Sequence, residues 1–335
     1  MTKKKANIYD VAKLAGVSHQ TVSRVMNNHE SIRPTTKERV LAAMKELDYQ
    51  PNLAARSLVT TRSNMLAFLV ADTVLYGPVG MNNAMERHAR QSGYLVVTLS
   101  VIPGDQESLN EALASLRVLQ IEGLVTIALP SESVKIATES FPDIPMVSLD
   151  TYDIGNAHAV GIDNFEGGYR ATQHLIELGH KKILHVAGQY DSFEAQSRRR
   201  GYEKAMADKK LKPEVIQGDW TADTGLKIGV DLNFEVAKYT AIFAANDYLA
   251  LGLLKALRLR GLDVPRDISL IGFDDIPEAT YLTPGLTTMR QDFKGLGAAA
   301  MNILLGELAG TGAQIPENLI PEIIVRESTG PLASV

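Results

Sequence analysis

The chain has 335 residues, 45% hydrophobic and 22% charged, with a formal net charge of −5 and no cysteine. That length exceeds one compact core and predicts two or three domains, and the ordinary apolar content excludes a largely disordered chain. The lack of thiols excludes a disulfide framework and a thiolate metal site, and no apolar run is long enough to span a membrane.

Charge is placed unevenly. Residues 1–62 carry eleven Lys and Arg against five Asp and Glu, a balance of +6, which leaves −11 for the remainder. A basic head on an acidic body is the asymmetry expected when one end neutralises phosphates.

The first elements explain that head. Val11, Ala12 and Ala15 put small apolar groups on one face of a helix, and Gly16 supplies a tight turn. Ser18 caps a second helix running to Met26, which buries Val22 and Val25 and turns His19, Gln20, Ser23 and Arg24 outward. Thr35 with Glu38 reads as the capping box of a third helix carrying Val40, Leu41, Met44 and Leu47 at helical spacing. Three short helices with a polar second one are the minimal helix-turn-helix, whose second helix enters a major groove of duplex DNA. A plain helical hairpin of a larger core is the alternative, and the local positive charge argues against it. Residues 52–59, after Pro51, are too short to hold as an isolated helix in water, so order there must come from a partner.

Beyond residue 62 short apolar runs alternate with amphipathic segments. Runs at 65–71, 94–99, 123–127 and 145–149 read as buried parallel strands, with helices at 81–91 and 108–120 between them. The pattern repeats with strands at 182–187, 215–217, 241–245 and 269–273 and helices near 166–179, 194–209, 222–234 and 247–260. Two doubly wound halves facing each other make a cleft beyond the carboxyl ends of their strands. The candidates there are Asp72, Leu75, Tyr76, Pro78, Asp150, Asn246, Asp247, Asp274 and Asp275, with the single tryptophan, Trp220, in a loop. An aromatic face stacks on the apolar face of a pyranose while Asp and Asn bond its hydroxyls, so the set suits a sugar. Asp247 reads equally as the cap of the following helix. No phosphate loop, Gly-x-Gly-x-x-Gly, His-Glu-x-x-His or Gly-x-Ser-x-Gly is present, which argues against an enzyme and against a metal or a cofactor.

The N-terminal helix-turn-helix, the stretch Pro51, Asn52, Ala55, Arg56 and Leu58, and the runs Ala245-Asn246-Asp247 and Gly272-Phe273-Asp274-Asp275 resemble the lac repressor (LacI/GalR) family of bacterial transcription factors over essentially the whole chain. The resemblance implies an all-α helix-turn-helix headpiece (residues 1–50) and a hinge helix and linker (51–61). An α/β periplasmic-binding-protein-like core (62–335) of two doubly wound subdomains would follow. The first subdomain would cover about 62–162 and 292–322 and the second about 163–291 and 323–335, with crossovers near Asp163 and Gln291. DNA contacts would come from Tyr9, Ser18, His19, Gln20, Thr21, Ser23, Arg24, Asn27 and Arg33, and from Asn52, Ala55 and Leu58, the last wedging between base pairs in the minor groove. Effector contacts would come from Asp72, Leu75, Tyr76, Pro78, Asp150, Ile162, Arg198, Trp220, Asn246, Asp274, Gln291 and Phe293.

The effector motifs are closest to the family's namesake, including Gly218-Asp219-Trp220 and Gln291-Asp292-Phe293, although the loop with Glu194 and the aromatic Tyr76 depart from it. The implied function is a sequence-specific, cytoplasmic repressor of a carbohydrate-utilisation operon, released from double-stranded operator DNA by a sugar, a galactoside or other disaccharide. It would act as a homodimer through residues 79–91, Leu251, Tyr281 and Leu282, a dimer being the limit because no leucine heptad follows Arg326. A purine, nucleoside or corepressor response stays open within the same family. A sugar-binding transport protein would explain the cleft alone, and a constitutive DNA-binding protein the head alone.

Overall fold

The computed structural model describes residues 6–26, 32–49, 63–149, 157–312, 314–315 and 317–332. Asn27, Asn52, Ala55, Leu58 and Asp150 lie outside the described residues, as do the expected hinge and its wedge. The chain forms two compact units, residues 1–64 and 65–335.

The first unit packs α1 (Ile8–Ala15), α2 (His19–Met26) and α3 (Pro34–Glu46) around Val11, Ala12, Ala15, Val22, Val25, Val40 and Ala43. Gly16 turns the chain at φ 62°, a left-handed conformation that costs glycine little. The expected capping box on α3 does not form. Pro34 presets the first helical residue and Arg33 stands at the cap with no side-chain bond, so Thr35 falls inside the first turn; Leu41 is exposed.

The second unit holds two parallel sheets. The first has the order β2-β1-β3-β4-β5, from β1 (Met65–Ala71), β2 (Leu95–Val101), β3 (Gly123–Ile127), β4 (Met146–Leu149) and β5 (Ala157–Val160). Its helices are α4 (Tyr76–Gln91), α5 (Gln106–Val118) and α6 (Ser131–Ser140). The second has the order β7-β6-β8-β9, from β6 (Ile183–Ala187), β7 (Glu214–Gln217), β8 (Ala241–Ala244) and β9 (Ser269–Ile271). Its helices are α7 (Asn164–Glu177), α8 (Phe193–Asp208), α9 (Ala222–Asp231), the short α10 (Phe234–Ala237) and α11 (Asp247–Leu259). Strands β1, β3, β4, β6, β8 and β9 are buried almost throughout, as parallel strands covered on both faces must be.

Among the described residues the chain passes between the sheets three times. Ile162 pairs with Leu319 and Asp163 N–H donates to the Leu319 carbonyl at 2.8 Å, setting two passages side by side. The third follows β10 (Thr288–Arg290), which pairs antiparallel with β11 (Glu322–Ile324). It leads into α12 (Phe293–Leu308), whose Leu296, Ala300, Met301, Ile303 and Leu304 join the core of the first sheet.

Candidate functional site

In the first unit, local hydrogen bonds fix where the first two helices start. Asn7 Oδ1 accepts from Tyr9 N–H at 2.9 Å and Asp10 N–H at 3.1 Å, and Asp10 returns a bond to Asn7 N–H, a capping box not read from the sequence. Ser18 Oγ accepts from Thr21 N–H at 3.1 Å. α2 then presents His19, Gln20 and Arg24 exposed and Thr21 and Ser23 half-buried, while Tyr9 approaches His19 with ring centroids 5.1 Å apart. Arg33 is exposed at the start of α3. Arg39 does a different job, donating to the Ala15 and Gly16 carbonyls, so this cation secures the turn between the helices.

The larger unit contains a cleft of about 300 Å³ between the two sheets. From the first subdomain come Ala71 at the end of β1 and Asp72, Leu75 and Pro78 beyond it, with Met81, Pro103, Leu129 and Pro130. The second contributes Gln189, Asp191, Ser192, Phe193 and Glu194, together with Arg198, Trp220, Asn246 and Asp274, and Gln291 enters from the third passage. Eight of the expected effector residues therefore share one cavity: Asp72, Leu75, Pro78, Arg198, Trp220, Asn246, Asp274 and Gln291.

Three do not line it. Ile162 is buried in the first core. Phe293 packs edge-on against Tyr76 at 5.8 Å, and both rings border a separate hollow with Arg87 and Lys294. Tyr76 itself touches the cores of both subdomains, and so acts as a packing bridge rather than a cleft wall.

Arg198 is the organising side chain. Gly168 admits α8 against α7 so closely that an added Cβ would sit 2.2 Å from the Arg198 carbonyl oxygen. The guanidinium, 5% exposed, donates to Asn164 Oδ1 at 2.8 Å and to the Ala245 carbonyl at 2.6 Å, and lies 3.6 Å from Asp274 Oδ1. It also stacks 3.7 Å above the Phe273 ring and lies 5.5 Å from that of Trp220. Gln291 Nε2 donates to the same Asp274 oxygen at 2.6 Å. Burial pushes the Asp274 carboxyl up to about 6, against Arg198 and Gln291, which pull it down. Asp274 stands at φ 115°, a strained backbone for a residue with a side chain, held by these bonds.

Neighbouring acids take other roles. Asp275 turns away to pair with Arg290 at 2.6 Å and Arg326 at 2.7 Å. The cap of α11 is Asn246, whose Oδ1 accepts from Leu249 N–H at 2.9 Å while Nδ2 donates to the Trp220 carbonyl at 3.1 Å. Asp247, read as a possible cap, is fully buried and accepts from Ile276 N–H at 2.9 Å and the Thr288 hydroxyl at 2.6 Å. Burial, then the nearby Asp274 charge, raise its carboxyl well above the usual range. Asp219 accepts from Thr221 N–H and the Thr221 and Thr224 hydroxyls, fixing the loop that carries Trp220. The indole lies over Gly188, where a Cβ would come within 2.3 Å of the ring.

Residues 7–52 match the family described as bacterial regulatory proteins, lacI family, and residues 172–329 a periplasmic binding protein-like domain. An HTH-type transcriptional repressor PurR of Haemophilus influenzae (strain PittEE) is 35% identical over 332 residues, covering 96% of this chain and 98% of that protein. The chain belongs to the lacI family. Another lacI-family relative, the lactose operon repressor of Escherichia coli (strain K12), is 33% identical over 328 residues, 97% of this chain and 91% of that protein. Among solved structures, the lac repressor dimer bound to operator and the anti-inducer ONPF is similar with a TM-score of 0.87 at 32% identity, covering 98% and 100% of the two chains. A complex of the transcriptional regulator CelR with cellobiose gives 0.72 at 28% identity, covering 96% and 99%. Membership of the lacI family makes this protein a DNA-binding transcriptional regulator with a helix-turn-helix head and a two-subdomain core. Among the described residues no helix is long and apolar enough to cross a membrane and no group of His, Asp or Glu is arranged to hold a metal ion.

Proposed function

We propose that the protein is a homodimeric repressor of a carbohydrate-utilisation operon, released from its operator by an uncharged sugar, a galactoside or other disaccharide, bound in the cleft. The observation that carries this reading is the second-subdomain wall, where the Trp220 face stands beside Arg198, Asn246, Asp274 and Gln291. A pyranose offers an apolar face to the indole and a rim of hydroxyls that both donate and accept, matching a carboxylate, an amide and a guanidinium together. The head would place His19, Gln20 and Arg24 at base edges, with Asn27, Asn52, Ala55 and Leu58 as the further proposed DNA contacts. Asp150 stays a proposed effector contact on the sequence resemblance. The lac repressor and CelR structures, named with ONPF and cellobiose, support a sugar; exposed Val79 and Tyr281 support the dimer faces.

A second reading has its own support. Relatives named PurR reach 35% identity, and an indole with an amide and a carboxylate can also stack on and bond a purine base. Because Trp220 is the only tryptophan, its fluorescence reports the cleft alone. Titration with lactose, cellobiose, melibiose, hypoxanthine and guanine separates the readings: a saturable change with a disaccharide supports the sugar, and a change with the bases alone overturns it.

A further inference from the structure

We propose that Glu194 sets the charge class of the effector, accepting hydroxyls of an uncharged disaccharide and excluding ligands that carry phosphate or carboxylate; this rests on the sugar reading above. Glu194 is the second residue of α8, one helical turn before Arg198, so both side chains leave the same face of the helix and both line the cleft. They meet the cavity in opposite conditions. Arg198 is committed to Asn164, the Ala245 carbonyl and Asp274. Glu194 is half-buried, and among the described residues its carboxylate takes one hydrogen bond, from the Ser192 hydroxyl to Oε2 at 2.5 Å. Ser192 Oγ also accepts from Ala195 N–H at 3.2 Å as the helix cap, so the group that orients the carboxylate is itself anchored. Oε1 is left for a ligand.

The wall around it is acidic. Among the described residues, Asp72, Asp191, Glu194 and Asp274 line the cleft against one Lys or Arg, Arg198. With Asp274 paired to Arg198, a phosphorylated sugar would bring its charge beside the half-buried Glu194 and the exposed Asp72 and Asp191, whereas hydroxyls gain charge-assisted bonds there. Among the described residues no second Lys or Arg lines the cleft to offset the repulsion.

The test uses full-length protein and Trp220 fluorescence, with lactose and cellobiose paired with their 6′-phosphates, on wild type, Glu194→Gln and Glu194→Lys; circular dichroism confirms folding of each. Wild type should bind the neutral sugar at least 100-fold more tightly than its phosphate. Glu194→Gln should weaken the neutral sugar about tenfold, and Glu194→Lys should narrow the gap to the phosphate at least tenfold. Equal binding of the two sugars by wild type, or identical selectivity in all three proteins, overturns the role of Glu194 and leaves the sugar reading standing. Binding of purine bases with no response to any disaccharide overturns the sugar reading itself.

Discussion

The two walls of the cleft are built by different means. The second subdomain meets the cavity with side chains already locked by protein hydrogen bonds: Arg198 to Asn164 and Ala245, Asp274 to Gln291, Asn246 to the Trp220 loop. The first subdomain meets it mostly with apolar groups, Leu75, Pro78, Met81, Leu129 and Pro130. A pre-ordered polar wall loses little conformational entropy on binding, so the proposed recognition rests there. An apolar wall has no directional bonds to break and can slide against a ligand, so under the proposed function movement falls to that side. Tyr76, touching both cores, stands where such movement would be felt. Coupling to DNA then requires only that the ligand favour one arrangement of the subdomains over another.

Truncating Arg198 should break this contrast most severely. Arg198→Ala leaves Asp274 buried without its cation and Asn164 and the Ala245 carbonyl without a donor, which should cost about 3–5 kcal/mol in a urea melt and abolish the ligand response. Arg198→Lys keeps charge but loses the fork, so it should recover stability in part and ligand response hardly at all.

Proton linkage sharpens the picture next. Asp274 and Asp247 both have folded values above those of a free carboxyl, so the folded state holds extra protons and their contribution falls as pH rises through the window from about 4 to 6 for Asp274. Asp274→Asn should therefore gain stability relative to wild type between pH 4 and pH 7, by on the order of 3 kcal/mol. Parallel melts of the two proteins across that range read the difference, and parallel curves would remove the buried charge from the site's energetics. Smallest should be Leu75→Ala, on the apolar wall, with ligand affinity reduced only about three- to tenfold and operator affinity unchanged, since it removes contact area alone. A loss as large as that of Arg198→Ala would show that the two walls do not differ.

Much of the fold was legible because its strands are buried runs and its helices amphipathic. The positions of β1, β3 and β6 follow from apolar residues alone. What escaped notice has no local signature. β10 and β11 are three residues each and exist only because Thr288 meets Ile324 across the molecule. β5 is a four-residue edge strand, and α6 is short and begins behind Pro130 with no side-chain cap.

In the cleft, residues that follow a strand, such as Asp72, Asn246 and Asp274, could be read from topology. Ser192 and Glu194 could not be placed as a pair, although Ser followed by Glu at a helix start was the available signal. Ile162 and Phe293, expected at the effector on resemblance, are buried in the core of the first sheet and do not line the cleft, a distinction that similarity of sequence does not carry.

The most direct measurement is operator binding by fluorescence anisotropy at fixed salt, using the DNA beside the protein's own gene, for wild type and Trp220→Ala with and without the disaccharide that perturbs Trp220. A sugar bound by the ordered wall and coupled to the head predicts at least a tenfold loss of operator affinity in wild type and none in Trp220→Ala, with both proteins binding DNA equally well in the absence of sugar. Operator binding that no sugar moves, or that a purine base tightens, would contradict it.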